Sequence, residues 1–352
     1  MSRRLRTIIC GAIPVVVLGA LVGMDHIPGT NISLTVPYAA EGPGPSFNTL
    51  GEIEGKEVVE IDGENTDPTS GNLNMTTVSV RTGMTVPQVV SRWAQGDSIV
   101  PLDTIFQPGE SQEDVQERNK AAFANSETAA TLAAMNYLHR KVEVQVVEVK
   151  PDSAAEGQLV SGDRIISING TPVATPAEAQ EQVSHYQPGE KITLDIKHQD
   201  QSRATLTLNL GENPDSPGKP LLGITMVSVP ADGVRIHYNL NEVGGPSAGM
   251  MFSLAVVDKL SPGLLNGGKF VAGTGTISAD GSVGPIGGIT HKMKAAEDLG
   301  AELFLAPKDN CAEAMSQDHG TMVVAEVTSL SDAIQQMKAY SEGGDVRTCQ
   351  SR

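Results

Sequence analysis

The sequence predicts an α+β fold in which mixed sheets pack against helices and a smaller β-rich unit is inserted into the chain. Apolar and polar residues alternate over Leu73–Val80 and Val142–Val149, which is typical of half-buried strands. Helical patterns follow each of these runs, at Gln112–Leu138 and Pro176–Tyr186. An apolar run near the N-terminus adds a predicted transmembrane helix to this fold.

The N-terminus has the pattern of a membrane-targeting segment. Three arginines in Met1–Arg6 precede Ile8–Met24, which carries no charge. As a helix this run spans about 25 Å, slightly less than a ~30 Å hydrocarbon core. A cleaved signal peptide and an uncleaved anchor both fit, but no small-x-small cleavage site follows closely, which favours a signal-anchor over residues 1–25. Either interpretation keeps the arginines in the cytoplasm and the bulk of the chain outside it.

Charge and cysteine content narrow the functional classes. The chain has 42 acidic and 25 basic residues, which argues against a nucleic-acid partner. Its seven histidines are scattered without metal-ligand spacing, so neither a metal nor a cofactor is expected. Cys10 falls in the apolar run, and whether Cys311 and Cys349 form a disulfide in an oxidising compartment stays open.

A serine motif organises the second half of the chain. The run Gly244–Gly249 places Ser247 after glycines and a proline, immediately before an apolar helical pattern. Backbone N–H groups at a helix start can hold an oxyanion, so Ser247 is a candidate nucleophile. An ordinary serine N-cap is the alternative interpretation of the same residues.

A lysine 45 positions after Ser247 is the candidate base. A helix predicted from Ile289 to Leu299 puts Lys292 on its apolar face with Ile289, Ala296 and Leu299. Lys294 groups instead with the polar side, which contains Thr290, His291, Glu297 and Asp298. Burial lowers the pKa of a lysine, and a neutral amine can accept a serine proton. The alternative is a lysine whose stem covers apolar surface while its ammonium reaches water.

Together these motifs resemble the proteolytic domain of Lon proteases. The resemblance rests on Gly-Pro-Ser-Ala-Gly, Thr-Gly-x-Ile and Gly-x-Val-x-Pro-Ile-Gly-Gly-x-x-x-Lys. It implies that Ser247 is the nucleophile, that Lys292 is the general base and that Thr274 hydrogen-bonds the lysine, with Gly245 and Ala248 in support. Gly244 departs from the acidic residue that many members have two positions before the proline, which puts the gating of the site in question.

Residues 139–212 resemble a PDZ domain of the bacterial protease-associated type. The most specific part is the run Gly162-Asp163-Arg164-Ile165-Ile166-Ser167-Ile168-Asn169-Gly170. Such domains add an extended peptide as a strand beside a helix. By analogy the groove is expected between Val142–Val147 and Pro176–Tyr186, with Val144, Val146 and Val183 as peptide-binding residues.

A phosphate-loop pattern at Gly263–Lys269 does not indicate nucleotide binding. Phe270 stands where the metal-binding serine or threonine is required, and no second nucleotide motif occurs in the sequence. The chain therefore looks like a Lon-type protease unit without the ATPase unit, joined to the PDZ-like unit by a turn-rich linker.

The order of the segments predicts a discontinuous domain. Residues 37–138 are poor in large apolar side chains, yet they contain a strand and an alanine-bearing helix without another partner. We therefore expect them to fold together with residues 220–342, with the PDZ-like unit inserted between. Residues 343–352 are predicted to be a polar, frayed tail.

These observations predict a membrane-anchored, ATP-independent serine endopeptidase with a Ser247–Lys292 dyad that acts on extracytoplasmic proteins or peptides. The PDZ-like unit would recruit peptides or regulate access. The resemblance to Lon domains also implies a possible homo-oligomer. The alternative is a catalytically inactive extracytoplasmic scaffold that binds peptides.

Overall fold

The computed structural model describes residues 24–27, 29–30, 32–106, 109–240 and 243–350. Its α-helices are α1 Val86–Ala94, α2 Gln112–Tyr137, α3 Pro176–Ser184, α4 Gly249–Leu260, α5 Ile289–Asp298, α6 Cys311–Ala314 and α7 Leu330–Ser341. Its longer strands are β1 Tyr38–Asn48, β2 Val59–Asp62, β3 Asn72–Arg81, β4 Ser98–Pro101, β5 Val142–Val149, β6 Arg164–Ile168, β7 Lys191–Lys197, β8 Arg203–Asn209, β9 Ile224–Pro230, β10 Arg235–Tyr238, β11 Phe270–Gly273, β12 Leu303–Pro307 and β13 Val323–Val327. Two-residue strands lie at Glu52–Ile53, Lys56–Glu57, Thr171–Pro172, Gly211–Glu212, Pro220–Leu221, Thr276–Ile277 and Val283–Gly284, and 3-10 helices at Leu102–Thr104, Pro246–Ala248 and Lys308–Asn310.

One mixed sheet joins chain segments from both sides of the inserted unit. Its strand order is β13-β12-β11-β3-β1-β4. The strands β1, β3 and β4 come from residues 38–137, which we call the first segment, and the other three from residues 231–349, the second segment. The parallel pairing of β3 with β11, from Asn72↔Phe270 to Met75↔Gly273, joins the two segments. The segments therefore form one domain around a shared sheet.

Helices from the two segments also share one hydrophobic core. The alanines of α2 at positions 130, 133 and 134 are buried, and small side chains allow close approach to α4. Phe123 of α2 meets Phe252 of α4 edge to face, with ring centroids 5.6 Å apart. Leu73 and Met75 of β3 lie in the same buried cluster as Phe252. The first segment, which is poor in large apolar residues, thus completes its core with side chains of the second.

The PDZ-like unit is a separate sheet and helix spanning residues 142–230. Its strand order is β8-β7-β6-β5-β9, and α3 packs on this sheet above its own buried cluster. The boundary predicted at residue 212 is wrong, because β9 (Ile224–Pro230) pairs antiparallel with β5. The chain leaves the domain of the two segments and returns to it at neighbouring points, since Ala231 N donates to Lys141 O at 2.9 Å.

Residues 343–350 do not form the frayed tail that the sequence predicts for residues 343–352, and the last two residues of this predicted tail lie outside the described residues. Cys349 is buried and bonded to Cys311 in a disulfide. Its backbone N–H donates to Val324 O at 2.9 Å, and Glu326 N donates to Arg347 O at 2.8 Å. The polar composition predicts fraying, but the disulfide and these backbone bonds hold the tail against β13.

The predicted anchor at residues 1–25 lies outside the described residues except for Met24 and Asp25. Among the helices that the structure describes, none has the length and apolar composition to cross a membrane.

Candidate active site

Ser247 lies in a one-turn 3-10 helix, Pro246–Ala248, directly before α4. Gly245 has a φ of +91°, a backbone conformation that favours glycine, and this lets the chain turn sharply into the serine. The N-cap interpretation of Ser247 is wrong, because the cap position of α4 is Ala248 and no side-chain cap bond forms at either turn. The hydroxyl is therefore not occupied by a structural role in the helix.

Helix α2 of the first segment holds this turn in place. Gly245 N donates to Asn119 O at 2.9 Å, and Ser126 Oγ donates to Pro246 O at 3.0 Å. Gly249 is required because an added Cβ would lie 2.6 Å from Ile277 Cγ2 and 2.8 Å from Ser126 Oγ. The sequence does not predict a role for Asn119 and Ser126, since nothing in their spacing links α2 to a serine more than a hundred positions later.

The second segment fixes the backbone of Ser247 from the other side. Gly275 N and Thr274 Oγ1 both donate to Ser247 O, at 3.0 and 3.2 Å. Gly275 O in turn accepts from Met250 N at 3.1 Å. The turn that carries Ser247 is thus bonded to the strand end that carries Thr274, which limits movement of the serine.

Lys292 is buried on α5 with its amine directed at Thr274. Its side chain is 3% exposed, and Nζ donates to Thr274 Oγ1 at 3.1 Å. Burial lowers the pKa of Lys292 to about 8, because the charged ammonium loses its hydration while no carboxylate compensates. A substantial fraction of this lysine is therefore neutral in mildly alkaline solution.

Lys294, two positions later, has the opposite environment. It is exposed and lies 2.7 Å from Asp298 and 3.2 Å from Glu297. Hydrogen bonds to Asp298 and then Glu297 raise the pKa of Lys294, so this ammonium stays charged. The prediction that one lysine is buried and the other exposed is confirmed.

The predicted faces of α5 are wrong at two other positions. His291, expected on the polar side, is 6% exposed, and its Nε2 lies 2.9 Å from Ser98 Oγ of β4. Leu299, expected on the apolar side, is 53% exposed just after the helix. His291 is buried because β4 and β1 cover the side of α5 that an amphipathic helix would leave in water.

Ser247 and Lys292 line one cavity of about 700 Å³. Its other walls come from both segments and are Pro45, Phe47, Thr77, Val78, Val243, Gly244, Pro246, Thr276, Pro285, Ile286 and Gly287. Within the described residues, no hydrogen bond joins Ser247 Oγ to Lys292 Nζ. Hydrogen bonds between catalytic groups are often long without substrate and tighten when it binds. The mixed polar and apolar walls suit an extended peptide.

Within the residues that the structure describes, no cluster of three or more His, Cys, Asp or Glu side chains is arranged to hold a metal ion.

The peptide groove predicted on the PDZ-like unit uses the wrong strand. Val144 and Val146 are fully buried, and β5 is paired on both edges, with β6 on one side and β9 on the other. A strand with two neighbours has no free backbone groups for a peptide. Val144 and Val146 are therefore core residues and not groove residues.

A cavity of about 530 Å³ lies instead between α3 and β9. Val183 and Ala179 of α3 line it, as do Leu221–Ile224 and Met226. Strand β9 is at the edge of the sheet, so one row of its backbone groups is unpaired within the sheet. The apolar run Leu221-Leu222-Gly223-Ile224 before an alternating stretch is the sequence signal that indicates this strand. The turn-rich linker just before it led to a predicted domain boundary at residue 212, which is too early.

Two family models match the chain. The PDZ domain model matches residues 111–210. The model of the Lon protease (S16) C-terminal proteolytic domain matches residues 232–336, which include Ser247, Thr274 and Lys292. The first match begins at α2, which in the structure packs in the shared core of the two segments, and it ends before β9.

Individual proteins are similar over parts of the chain. Lon protease 2 of Bacillus subtilis is 34% identical over 107 residues, which cover 30% of this chain and 19% of that protein. An archaeal Lon protease of Halobacterium salinarum is 24% identical over 204 residues, covering 56% of this chain and 27% of that protein. The chain thus spans less than a third of the length of either relative.

Among solved structures, the PDZ domain of an SdrC-like protein from Listeria monocytogenes matches with 27% identity and a TM-score of 0.22. The match covers 24% of this chain and 86% of that domain. With the motifs, the two model matches and the curated relatives taken together, this chain combines a PDZ domain with a Lon-type proteolytic domain.

Proposed function

We propose that this chain is a serine endopeptidase in which Ser247 is the nucleophile and Lys292 the general base. The observation that carries the proposal is that one cavity is lined by a buried lysine and by a serine that does not cap a helix. Thr274 connects them, since its Oγ1 accepts from Lys292 Nζ and donates to Ser247 O. A lysine with a pKa of about 8 is poised to take a proton near neutrality. Lys294 lacks both the burial and the lowered pKa.

The reaction is acyl transfer in two steps. Lys292 Nζ removes the proton of Ser247 Oγ as this oxygen attacks the scissile carbonyl, and the ammonium then protonates the leaving amine. Backbone N–H groups at the start of α4, around Ser247 and Ala248, stabilise the oxyanion. Water then attacks the acyl-enzyme with Lys292 again as the base, which regenerates the serine. Thr274 orients the lysine amine, and Gly245 provides the turn that exposes Ser247.

The PDZ domain recruits peptides through the groove between α3 and β9. An extended chain adds to the free edge of β9, and its terminal carboxylate is held on the backbone N–H groups of the Leu221–Ile224 segment, which leads into this strand. Val183 and Ala179 contact its apolar side chains. Peptide ends recognised there are presented to a protease in the same chain.

The location we propose is the outer side of a membrane, with the N-terminus in the cytoplasm. The arginine-flanked apolar run at Ile8–Met24 supports an anchor, and the Cys311–Cys349 disulfide fits an oxidising compartment. The substrates are extracytoplasmic proteins or peptides, and cleavage is independent of ATP. Association with further copies of the chain is proposed from the resemblance to Lon domains.

Cleavage of unfolded casein by the purified chain tests this function, beside the Ser247→Ala variant. Time-dependent cleavage by the natural chain that is lost in the variant supports the endopeptidase. The alternative of an inactive scaffold is favoured by Gly244, which replaces an acidic residue in the serine motif. If neither protein cleaves casein while both bind peptides in the groove, the scaffold is the correct function.

A further inference from the structure

Helix α1 (Val86–Ala94) presents its apolar side to solvent. Val86, Val90 and Trp93 are 54%, 55% and 68% exposed, and they recur at the i, i+4 and i+7 spacing of one helical face. None of the nine residues of the helix is buried. An amphipathic helix of a globular domain normally turns such a stripe toward the core. The outward stripe is therefore not explained by the folding of this domain.

The polar side of α1 and its termini show that the helix is ordered by local bonds. Thr85 N donates to Gln88 Oε1 at 2.8 Å at the start, and Gln95 N donates to Ser91 O near the end. Arg92 lies 3.8 Å from Asp97 and is half-buried. The apolar stripe is thus presented on a fixed helix with glutamine, serine and arginine on its other side.

The chain path places α1 close to the end of the predicted anchor. Leu34 N donates to Asp25 O at 2.8 Å, and Val36 N donates to Met84 O at 2.9 Å. The path from Asp25 to Val86 therefore has four steps. Two are hydrogen bonds, from residue 25 to 34 and from 36 to 84, and two follow the chain for two residues, from 34 to 36 and from 84 to 86. At ~3.5 Å per residue and ~5 Å per hydrogen-bonded crossing, these add up to about 25 Å at most. Helix α1 lies within this distance of the residue where the predicted anchor ends.

The charge close to α1 is compatible with a lipid surface. The chain has a net charge of −17, but the stretch 68–96 contains Arg81 and Arg92 and no acidic residue. Asp97, which follows this stretch, pairs with Arg92, so Arg81 is the basic side chain of the stretch that is left for lipid phosphates. Arg81 is exposed at the end of β3. Tryptophan is enriched at the boundary between lipid headgroups and acyl chains, and basic side chains are attracted to lipid phosphates.

We propose that α1 lies in the headgroup region of the bilayer that holds the anchor, with Val86, Val90 and Trp93 inserted toward the acyl chains. The occupant of the apolar stripe is thus lipid, and a second copy of the chain is the alternative that the test separates. The inference rests on the proposed membrane anchor. Two attachments, one helix across the bilayer and one along it, would fix the orientation of the protease domain relative to the membrane.

Trp93 supplies the measurement, because it is the only tryptophan of the chain. The full chain is reconstituted into phosphatidylcholine–phosphatidylglycerol vesicles, either unlabelled or with bromine atoms on the upper part of the acyl chains. We expect brominated lipid to quench the tryptophan emission, and added iodide to quench it little. The Val86→Gln/Val90→Gln variant should lose most of the bromine quenching, whereas Ser91→Gln on the polar side should keep it. Casein cleavage should be the same for these proteins, since α1 lies outside the active-site cavity.

Each other outcome overturns the inference. Quenching by iodide and not by bromine means that α1 faces water. Protection from both quenchers means that protein covers the stripe, as a second copy would. A chain that does not float with the vesicles contradicts the anchor, and the inference falls with it. None of these three results bears on casein cleavage, so the proposed protease activity is judged separately.

Discussion

The cavity beside Ser247 and the groove of the PDZ domain are built in different ways from the same chain. The active-site cavity has walls from the first segment, such as Phe47 and Thr77, and from the second, such as Ser247 and Lys292. The groove of the PDZ domain is lined by one continuous stretch, from Ile168 to Met226. The candidate active-site cavity therefore exists only when two distant segments have folded together, whereas the groove needs only its own unit.

The cavities also differ in how far the surrounding structure alters the chemistry of their side chains. Burial lowers the pKa of Lys292 in the active-site cavity, whereas the groove relies on unpaired backbone and apolar contacts. A binding groove can tolerate a small displacement of its walls. A serine–lysine pair cannot, because proton transfer requires hydrogen-bond distances. If Ser247 and Lys292 act as proposed, the discontinuous domain is thus the one in which precise placement matters more.

Removal of one unit at a time should give the largest contrast. If a short glycine–serine linker joins Lys141 to Ala231 in place of residues 142–230, the remaining chain should still unfold cooperatively and cleave casein, because these two residues are already hydrogen-bonded. Expressed as a separate piece, residues 220–352 should aggregate without strands β1 and β3, and co-expression of residues 37–138 should rescue them. A C-terminal piece that is monodisperse and cleaves casein unaided would show that the discontinuous domain is wrong.

The paired lysines of α5 offer the next largest effect. Lys292→Ala should reduce the rate of casein cleavage by on the order of 10⁴-fold or more, since serine–base pairs act as a unit. Lys294→Ala should retain most activity, because this exposed ammonium only pairs with Asp298 and Glu297. Initial rates of the two purified variants decide the matter, and an equal loss in both would remove Lys292 from its assigned role.

The left-handed residue before α5 tests how precisely the lysine must be placed. Gly288 has a φ of +65°, and an added Cβ would lie 2.7 Å from Val78 Cγ2. Gly288→Ala should cost about 1–3 kcal/mol of unfolding free energy, and a displaced Lys292 should lower the rate by roughly 100-fold. Gly287→Ala is the control for stability, since a Cβ added at Gly287 would meet no atom beyond its chain neighbours within 4 Å. Thermal unfolding should separate the two variants, and identical melting temperatures would contradict the argument. Casein cleavage is compared between Gly288→Ala and the natural chain, because Gly287 lines the cavity.

The groove should respond more mildly and independently of catalysis. Ile224→Glu on β9 should weaken binding of a peptide with an apolar C-terminus by about tenfold, or ~1.4 kcal/mol, by placing a charge beside the terminal carboxylate. Val147→Glu on β5 is the matched control, because Val147 is exposed and outside the groove. Fluorescence anisotropy of a labelled peptide measures both. If Val147→Glu alone weakens binding, the groove lies beside β5, as predicted from the sequence, and not beside β9.

The sequence predicted features that depend on local motifs better than features that depend on which strands lie next to each other. Ser247 and Lys292 could be selected because their motifs combine glycine turns, a helix start and an apolar helical face, all of which are local, whereas the role of Thr274 followed from the resemblance to Lon domains. The buried position of Lys292 follows from helical spacing. That of His291 depends on β4, and the packing of this strand against α5 cannot be predicted from the periodicity of the helix.

The errors in the PDZ unit have the same physical origin. An alternating run such as β5 predicts a strand but does not say whether its edges are free. Here β9, which comes from beyond the linker, occupies the edge that a peptide would need. The C-terminal tail was misjudged for a similar reason, since the pairing of Cys349 with Cys311 depends on where the fold brings residue 349.

The pH dependence of peptide cleavage tests the central claim, a neutral buried lysine acting on Ser247, most directly. Only neutral Lys292 can accept the serine proton, and its neutral fraction grows as the pH rises through about 8. With a short soluble peptide substrate, kcat/KM should therefore rise about tenfold per pH unit below the pKa of the base and level off about one unit above it. A profile that is already flat from pH 5 would contradict the account and point to another base, such as His291 or His237.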